Sequence, residues 1–250
     1  MGIVDVATLG VLTMLVLLIA LELIHPARRF PDVRGWRWKC VAFMPVIIAI
    51  TITTPFLMSG VIEDIRLLRG YELGTVGGTI VGILVSELLV YWVHRLHHRN
   101  KFLWCWIHQL HHSAERVDVF GAAYFHPFEI VEGNVVGVVL FNVVLGLTPE
   151  AAALSVLWQA FSGVFQHGNI NTPVWLGYII QRPEAHGIHH ERGLHSYNYA
   201  NLPLWDIVFG TFRNPRRWDG VAGFYPGSSS PTFRMLIGQD VSNDQPSRSV

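Results

Sequence analysis

Apolar runs long enough to cross a bilayer constrain this 250-residue chain more than any other feature. A spanning helix needs about 20 predominantly apolar residues. Ile3–Ile24 qualifies, with Asp5 and Glu22 as its charged residues, and is too long and too polar at its ends for a cleaved leader. Residues 40–60 carry no charge, and their Pro45 and Pro55 are tolerated better in a membrane than in water. Residues 74–93 carry Glu87 alone. Residues 128–147 and 150–166, separated by Thr148-Pro149, read as a membrane hairpin. Charged residues make up 14% of the chain against roughly 25% in soluble domains. The prediction is an all-α integral membrane protein with about four to five membrane-embedded helices.

Alternating crossings leave only Arg66 and Arg69, of 18 Lys and Arg, on the far side, in a segment that also holds Glu63, Asp64 and Glu72. By the positive-inside rule the basic side is cytoplasmic. Trp36, Trp38, Trp92, Trp104 and Trp106 fall at that interface, where an aromatic belt is expected. The setting is a bacterial inner membrane, or an endoplasmic reticulum membrane in a eukaryote. A formal net charge of +0 provides no field for nucleic acid. Residues 227–250, rich in Ser, Pro, Asn, Asp and Gln, read as disordered.

Every histidine cluster lands on the cytoplasmic side. The pattern His-x-x-His-His occurs three times, at His94, His97, His98, at His108, His111, His112 and at His186, His189, His190. Positions i, i+3 and i+4 share a helix face, so each triplet can aim several imidazoles at one point. Imidazole suits Zn, Cu, Fe and Ni. Structural zinc takes four ligands and catalytic zinc three from protein, so nine or more histidines point to two ions. Cys40 and Cys105 form no Cys-x-x-Cys pair, and no His-Glu-x-x-His marks a metalloprotease. Haem asks for single, separated histidines on facing helices rather than triplets at helix ends. A metal-binding or metal-transport protein is the alternative, and would place ionisable residues along a mid-membrane path. Glu87, Tyr91, His94 and His98 are spaced by 4, 3 and 4 on one face. Glu87 either ligates or orients a ligand by hydrogen bonding. Glu129 and Glu132 read as acids favoured at a helix N-terminus.

The ordered pieces around these histidines resemble the fatty acid hydroxylase superfamily, which includes sterol desaturases and sterol methyl oxidases. They are Tyr91–His98, His108–Ser113, Phe125-His126-Pro127-Phe128-Glu129, Gln166–Ile170, Pro183–His190, Asn198-Tyr199-Ala200-Asn201 and Leu204–Thr211, within residues 87–212. The resemblance implies metal ligands at His94, His98, His108, His111, His112, His167, His186, His189 and His190, with His126 as a tenth. His97 falls on a variable motif position and can orient a neighbour instead. His195 stands where the pattern has an acid ahead of Asn198, which leaves the surroundings of the third cluster open.

The resemblance further implies a membrane-bound, non-haem di-iron oxygenase. It would use O2 as co-substrate to hydroxylate or desaturate an unactivated C–H bond of a lipid or other membrane-dissolved molecule. No nucleotide-binding glycine fingerprint and no four-cysteine cluster site is present, so electrons come from a separate ferredoxin, rubredoxin or cytochrome-type donor. The predicted organisation is N-terminal transmembrane helices over 1–86, a cytosol-facing di-iron domain including the hairpin over 87–220, and the disordered tail over 221–250.

Overall fold

A computed structural model describes residues 2–62 and 65–244; Glu63, Asp64 and the last six residues of the expected tail lie outside them. The described residues are helical and contain no strand pair beyond one isolated bridge, Glu191 to Ala222. Four helices are long and apolar enough to cross a membrane: α1 (Ile3–Ile24), α2 (Trp36–Ile62), α3 (Gly74–Arg99) and α5 (Pro127–Val144). Helix α4 covers residues 101–112 and α6 is Pro149–Gln166. Three short helices follow: α7 (Pro183–His189), α8 (Pro203–Val208) and α9 (Thr232–Leu236).

Four of these helices open on proline, at Pro127, Pro149, Pro183 and Pro203. Proline is preorganised for the first helical position, where its missing N–H costs nothing. Thr148 caps α6 by accepting from the Ala151 N–H at 3.2 Å. The first helix leaves Ile3, Val6, Leu9, Leu12 and Val16 more than half exposed. In water such a face would be a gross liability, whereas lipid solvates it.

Helix α6 packs on both α1 and α3, while α2 packs on α5. Gly78 and Gly82 let α3 approach α6 closely: a Cβ at Gly78 would stand 2.9 Å from the Ala151 Cβ, and one at Gly82 would strike Ser155. Small residues at every fourth position are the membrane solution to close helix contact. That contact buries Glu87 between the two helices. Helix α3 also runs six residues beyond its expected end, carrying the first histidine cluster with it.

Two expectations change. Residues 227–244 pack against the body rather than lying disordered. Met235 and Val241 are fully buried with Trp36, Leu110 and Tyr124. Gln109 donates to the Gln239 carbonyl at 2.8 Å and accepts from the Val241 N–H, and Glu115 accepts from the Gly227 N–H at 2.7 Å. Two apolar plugs and buried side-chain partners for the backbone outweigh the polar composition. Trp36 likewise leaves the expected aromatic belt: it is buried and donates to Asp118 at 3.0 Å. Trp38 and Trp92 remain well exposed.

Candidate metal centre

Nine histidines from four elements converge. They divide into His94, His98, His108, His112 and His189, and His111, His167, His186 and His190; within each group the ligand atoms lie within 4.8 Å of one another. Helical geometry makes the division. The i, i+4 pairs His94/His98 and His108/His112 enter group one, and His186/His190 enters group two. His111 and His189 point about 100° from their following neighbours and so join the opposite group. Helices α4 and α7 therefore stand between the groups and serve both. The rings of His112 and His190, one from each group, stack at 4.3 Å. A π-helical turn over Trp104–His108 precedes the second cluster, a distortion common at functional sites.

The second nitrogen of several rings is fixed. His94 Nδ1 donates to the Tyr199 carbonyl at 2.7 Å, and His108 Nδ1 donates to Glu129 Oε1 at 2.7 Å. Both rings then carry their lone pairs on Nε2. Those two Nε2 atoms stand only 2.9 Å apart. His189 Nδ1 donates to the Tyr197 carbonyl at 2.8 Å, which turns its Nε2 lone pair toward His112 Nε2 at 3.0 Å. His167 Nδ1 donates to the Gly163 carbonyl at 2.6 Å, and its Nε2 faces His111 and His186 Nε2 at 3.0 and 3.1 Å. Lone pair against lone pair is repulsive in a buried site; a cation between the nitrogens turns the repulsion into ligation. Buried His98 Nε2, His111 Nδ1 and His190 Nδ1 have no hydrogen-bond partner among the described residues.

Burial, reinforced by neighbouring imidazoles, holds His108, His111, His112, His186, His189 and His190 well below the ordinary value of 6.5. Burial also pushes His167 down to about 4. These rings are neutral at pH 7, the form that binds metal. The donor set is imidazole throughout, suited to Fe, Zn, Cu or Ni, and nine nitrogens exceed what one ion can use.

Of the ten histidines the sequence puts forward, His126 alone stays outside both groups. It caps α5: its Nδ1 accepts from the Phe128 N–H at 3.1 Å and its Nε2 lies 3.3 Å from the Leu236 carbonyl. The turn before Pro127 commits the ring to its own helix. Glu87 is not positioned to ligate either. Its carboxylate accepts from Trp158 Nε1, from the Asn201 N–H and amide, and from the Leu202 N–H, at 2.8 to 3.1 Å. It thereby anchors the loop whose Tyr199 carbonyl holds His94. Asp206 grips the same loop through the Tyr199 and Ala200 N–H groups, each at 2.9 Å.

His97 belongs to neither large group and is not at the membrane interface; it is buried, with Nε2 2.9 Å from Glu132 Oε2, and its ligand atom lies within 4.8 Å of those of His108 and Glu129, a smaller third set. The contact is too bent for a good hydrogen bond. His195 sets its Nδ1 3.0 Å from His112 Nδ1, in a left-handed stretch with φ of 40°, 69° and 48° at His195, Tyr197 and Asn198. Asn198 locks that stretch by donating to the Ala185 and Arg213 carbonyls and accepting from the Arg213 N–H. Sequence reasoning passed over Glu129 and Glu132 as helix-terminal acids, although Glu129 closes the Phe125–Glu129 piece. They lie one helical turn apart, and each meets a histidine of a different triplet member pair: Glu129 meets His108 and Glu132 meets His97.

Residues 79–211 match the model of the fatty acid hydroxylase family. An ornithine lipid hydroxylase of Rhizobium tropici is 35% identical over 150 residues, which cover 55% of this chain and 42% of that protein. A very-long-chain aldehyde decarbonylase of Oryza sativa is 32% identical over 140 residues, 53% of each chain. A sphinganine C4-monooxygenase of Arabidopsis thaliana is 28% identical over 137 residues, again 53% of each. The chain spans about half the length of these relatives, and no solved structure matches it. The matched segment takes in most of α3, the hairpin and all nine grouped histidines, more than half of the chain, and the chain belongs to the fatty acid hydroxylase family.

Proposed function

We propose that this protein is a membrane-bound di-iron oxidoreductase that hydroxylates or desaturates an unactivated C–H bond of a membrane lipid, with O2 as co-substrate and electrons from a separate donor protein. The observation that carries this reading is the pair of imidazole groups whose Nε2 lone pairs face one another. His94, His98, His108, His112 and His189 would hold one ion, and His111, His167, His186 and His190 the other. Iron bound there would supply the redox chemistry with O2 that side chains lack. The names of the ornithine lipid hydroxylase and the sphinganine C4-monooxygenase favour oxidation of a lipid.

The chain's own part is to orient and to exclude. Backbone carbonyls of Tyr199, Tyr197 and Gly163, with the Glu129 carboxylate, set the tautomers of His94, His189, His167 and His108 and keep those four Nε2 atoms pointed inward. Trp104, Phe125 and Tyr199 wall the groups: the Phe125 ring stacks on His111 at 4.1 Å, and Trp104 lies 5.4 Å from His98. A dry, rigid wall protects an oxidising site from side reactions with water. The basic residues near this end of the spans favour a cytoplasmic orientation in a bacterial inner membrane, or in the endoplasmic reticulum of a eukaryote.

Purified protein should hold about two iron ions per chain with nitrogen ligation. Lipid mass spectrometry of cells with and without the gene should show a product that gains one oxygen or loses two hydrogens. Full activity with a single zinc ion and no iron would overturn the reading.

A further inference from the structure

One cleft, of about 600 Å3, opens beside group one. Its inner wall is His98, Trp104, His195 and Tyr199. His98 belongs to group one, and His195 touches His112 of the same group. The rim carries Arg99, Lys101 and Arg192, with no acidic side chain among the described residues of the lining. Lys101 is paired with Asp240 outside the cleft, whereas Arg99 is exposed and Arg192 reaches only the Ala222 and Gly223 carbonyls at 3.3 and 3.4 Å. The local charge is thus a net excess of arginine in a concave site next to the metal-binding histidines.

The surface leading to the cleft is apolar. Trp92, Leu96 and Arg99 lie at i, i+4 and i+7, one stripe along α3. Trp92 and Leu96 are about half exposed, and Phe102 beyond them is 66% exposed. An apolar stripe that ends in arginine at the end of a spanning helix has the profile of an amphiphile with a negatively charged head. A protein partner is the poorer fit, since specific docking covers roughly 800 Å2 of each surface, and here the cations rim a pocket of small-ligand size.

We propose that this cleft receives the anionic head group of the lipid on which the neighbouring histidine groups act, with Arg99 and Arg192 as its cationic contacts. The role of substrate rests on the function proposed above; binding of the head group does not require turnover.

The test uses full-length, metal-loaded protein in discs of zwitterionic phosphatidylcholine. Binding of dihexanoyl phosphatidic acid is measured against dihexanoylglycerol, dihexanoyl phosphatidylcholine and inorganic phosphate. Phosphatidic acid should bind tightest and weaken as salt rises. Arg99→Gln should weaken it about fivefold, and Arg99→Gln with Arg192→Gln about 25-fold, from the usual worth of one cation near a membrane surface. Arg216→Gln, an exposed arginine outside the cleft, should leave it unchanged. The single Arg99 variant keeps the test decisive if the double variant misfolds.

Equal affinity for the uncharged glycerolipid, equal affinity for inorganic phosphate, or an equal loss in Arg216→Gln would overturn the proposal. So would an Arg99→Gln protein that keeps lipid affinity and loses only its turnover with a protein donor while retaining it with dithionite, since that marks a donor dock. Lipid oxidation by wild type without head-group binding removes this proposal alone. Binding without iron or oxidation removes only the function proposed above.

Discussion

The two histidine groups share α4 and α7, draw their remaining ligands from α3 and from the end of α6 respectively, and differ in what surrounds them. Group one has five imidazoles, two of them only half-buried, and borders the cleft through His98, beside Arg99 and Arg192. Group two has four, all buried, closed over by the stacked Phe125 ring and the end of α6. The same residue chemistry therefore gives one centre with an approach from outside and one enclosed in protein. The difference argues for unequal duties, with the open group meeting the lipid and the enclosed group completing the pair.

The largest expected effects test whether both groups are needed. His189→Ala in group one and His111→Ala in group two should each abolish lipid oxidation while leaving membrane insertion intact, because neither residue lies in a spanning helix. Each variant should also lose about one of two iron ions. Substantial turnover in either would show that the group it belongs to is dispensable. Glu129→Gln should come next: it removes the carboxylate that holds His108 Nδ1, and such outer partners typically cost 10–100-fold in metal affinity or activity. Iron affinity measured by chelator competition, alongside turnover, checks it.

His195→Ala should fall in the same 10–100-fold range and act on group one, through His112, with group-two iron retained. A chelator such as ferrozine, applied to the reduced protein, sharpens the contrast. The group bordering the cleft should release its metal first, giving a two-phase loss, and a single phase would erase the distinction drawn here. The smallest effect belongs to His126→Ala. As a helix cap outside both groups, it should lower stability by about 1 kcal/mol and leave iron content near wild type. Severe iron loss there would return His126 to the ligand set.

Particular residues show where sequence reading reaches its limit. Glu87 could be singled out because a lone carboxylate inside a span is costly. Its task could not, because the four donors that surround it come from residues 158, 201 and 202. Glu129 was hidden by a sound local rule: acids belong at helix N-termini. His97 and His126 carried the right chemistry in the right neighbourhood, and their ring directions depended on helix register and on a cap.

What the sequence by itself determined is the spanning helices, the all-imidazole donor set and the family motifs. All of these follow from composition and short-range period, which each segment carries alone. Only the tertiary structure decided how the nine histidines divide into five and four, which carbonyls and carboxylate fix their tautomers, and that residues 227–244 fold back onto the body. The physical reason is that a ligand group is a meeting of lone pairs from elements as much as about 100 residues apart, as between His94 and Tyr199. No local pattern records such a meeting, because packing of α3, α4, α6 and α7 sets it.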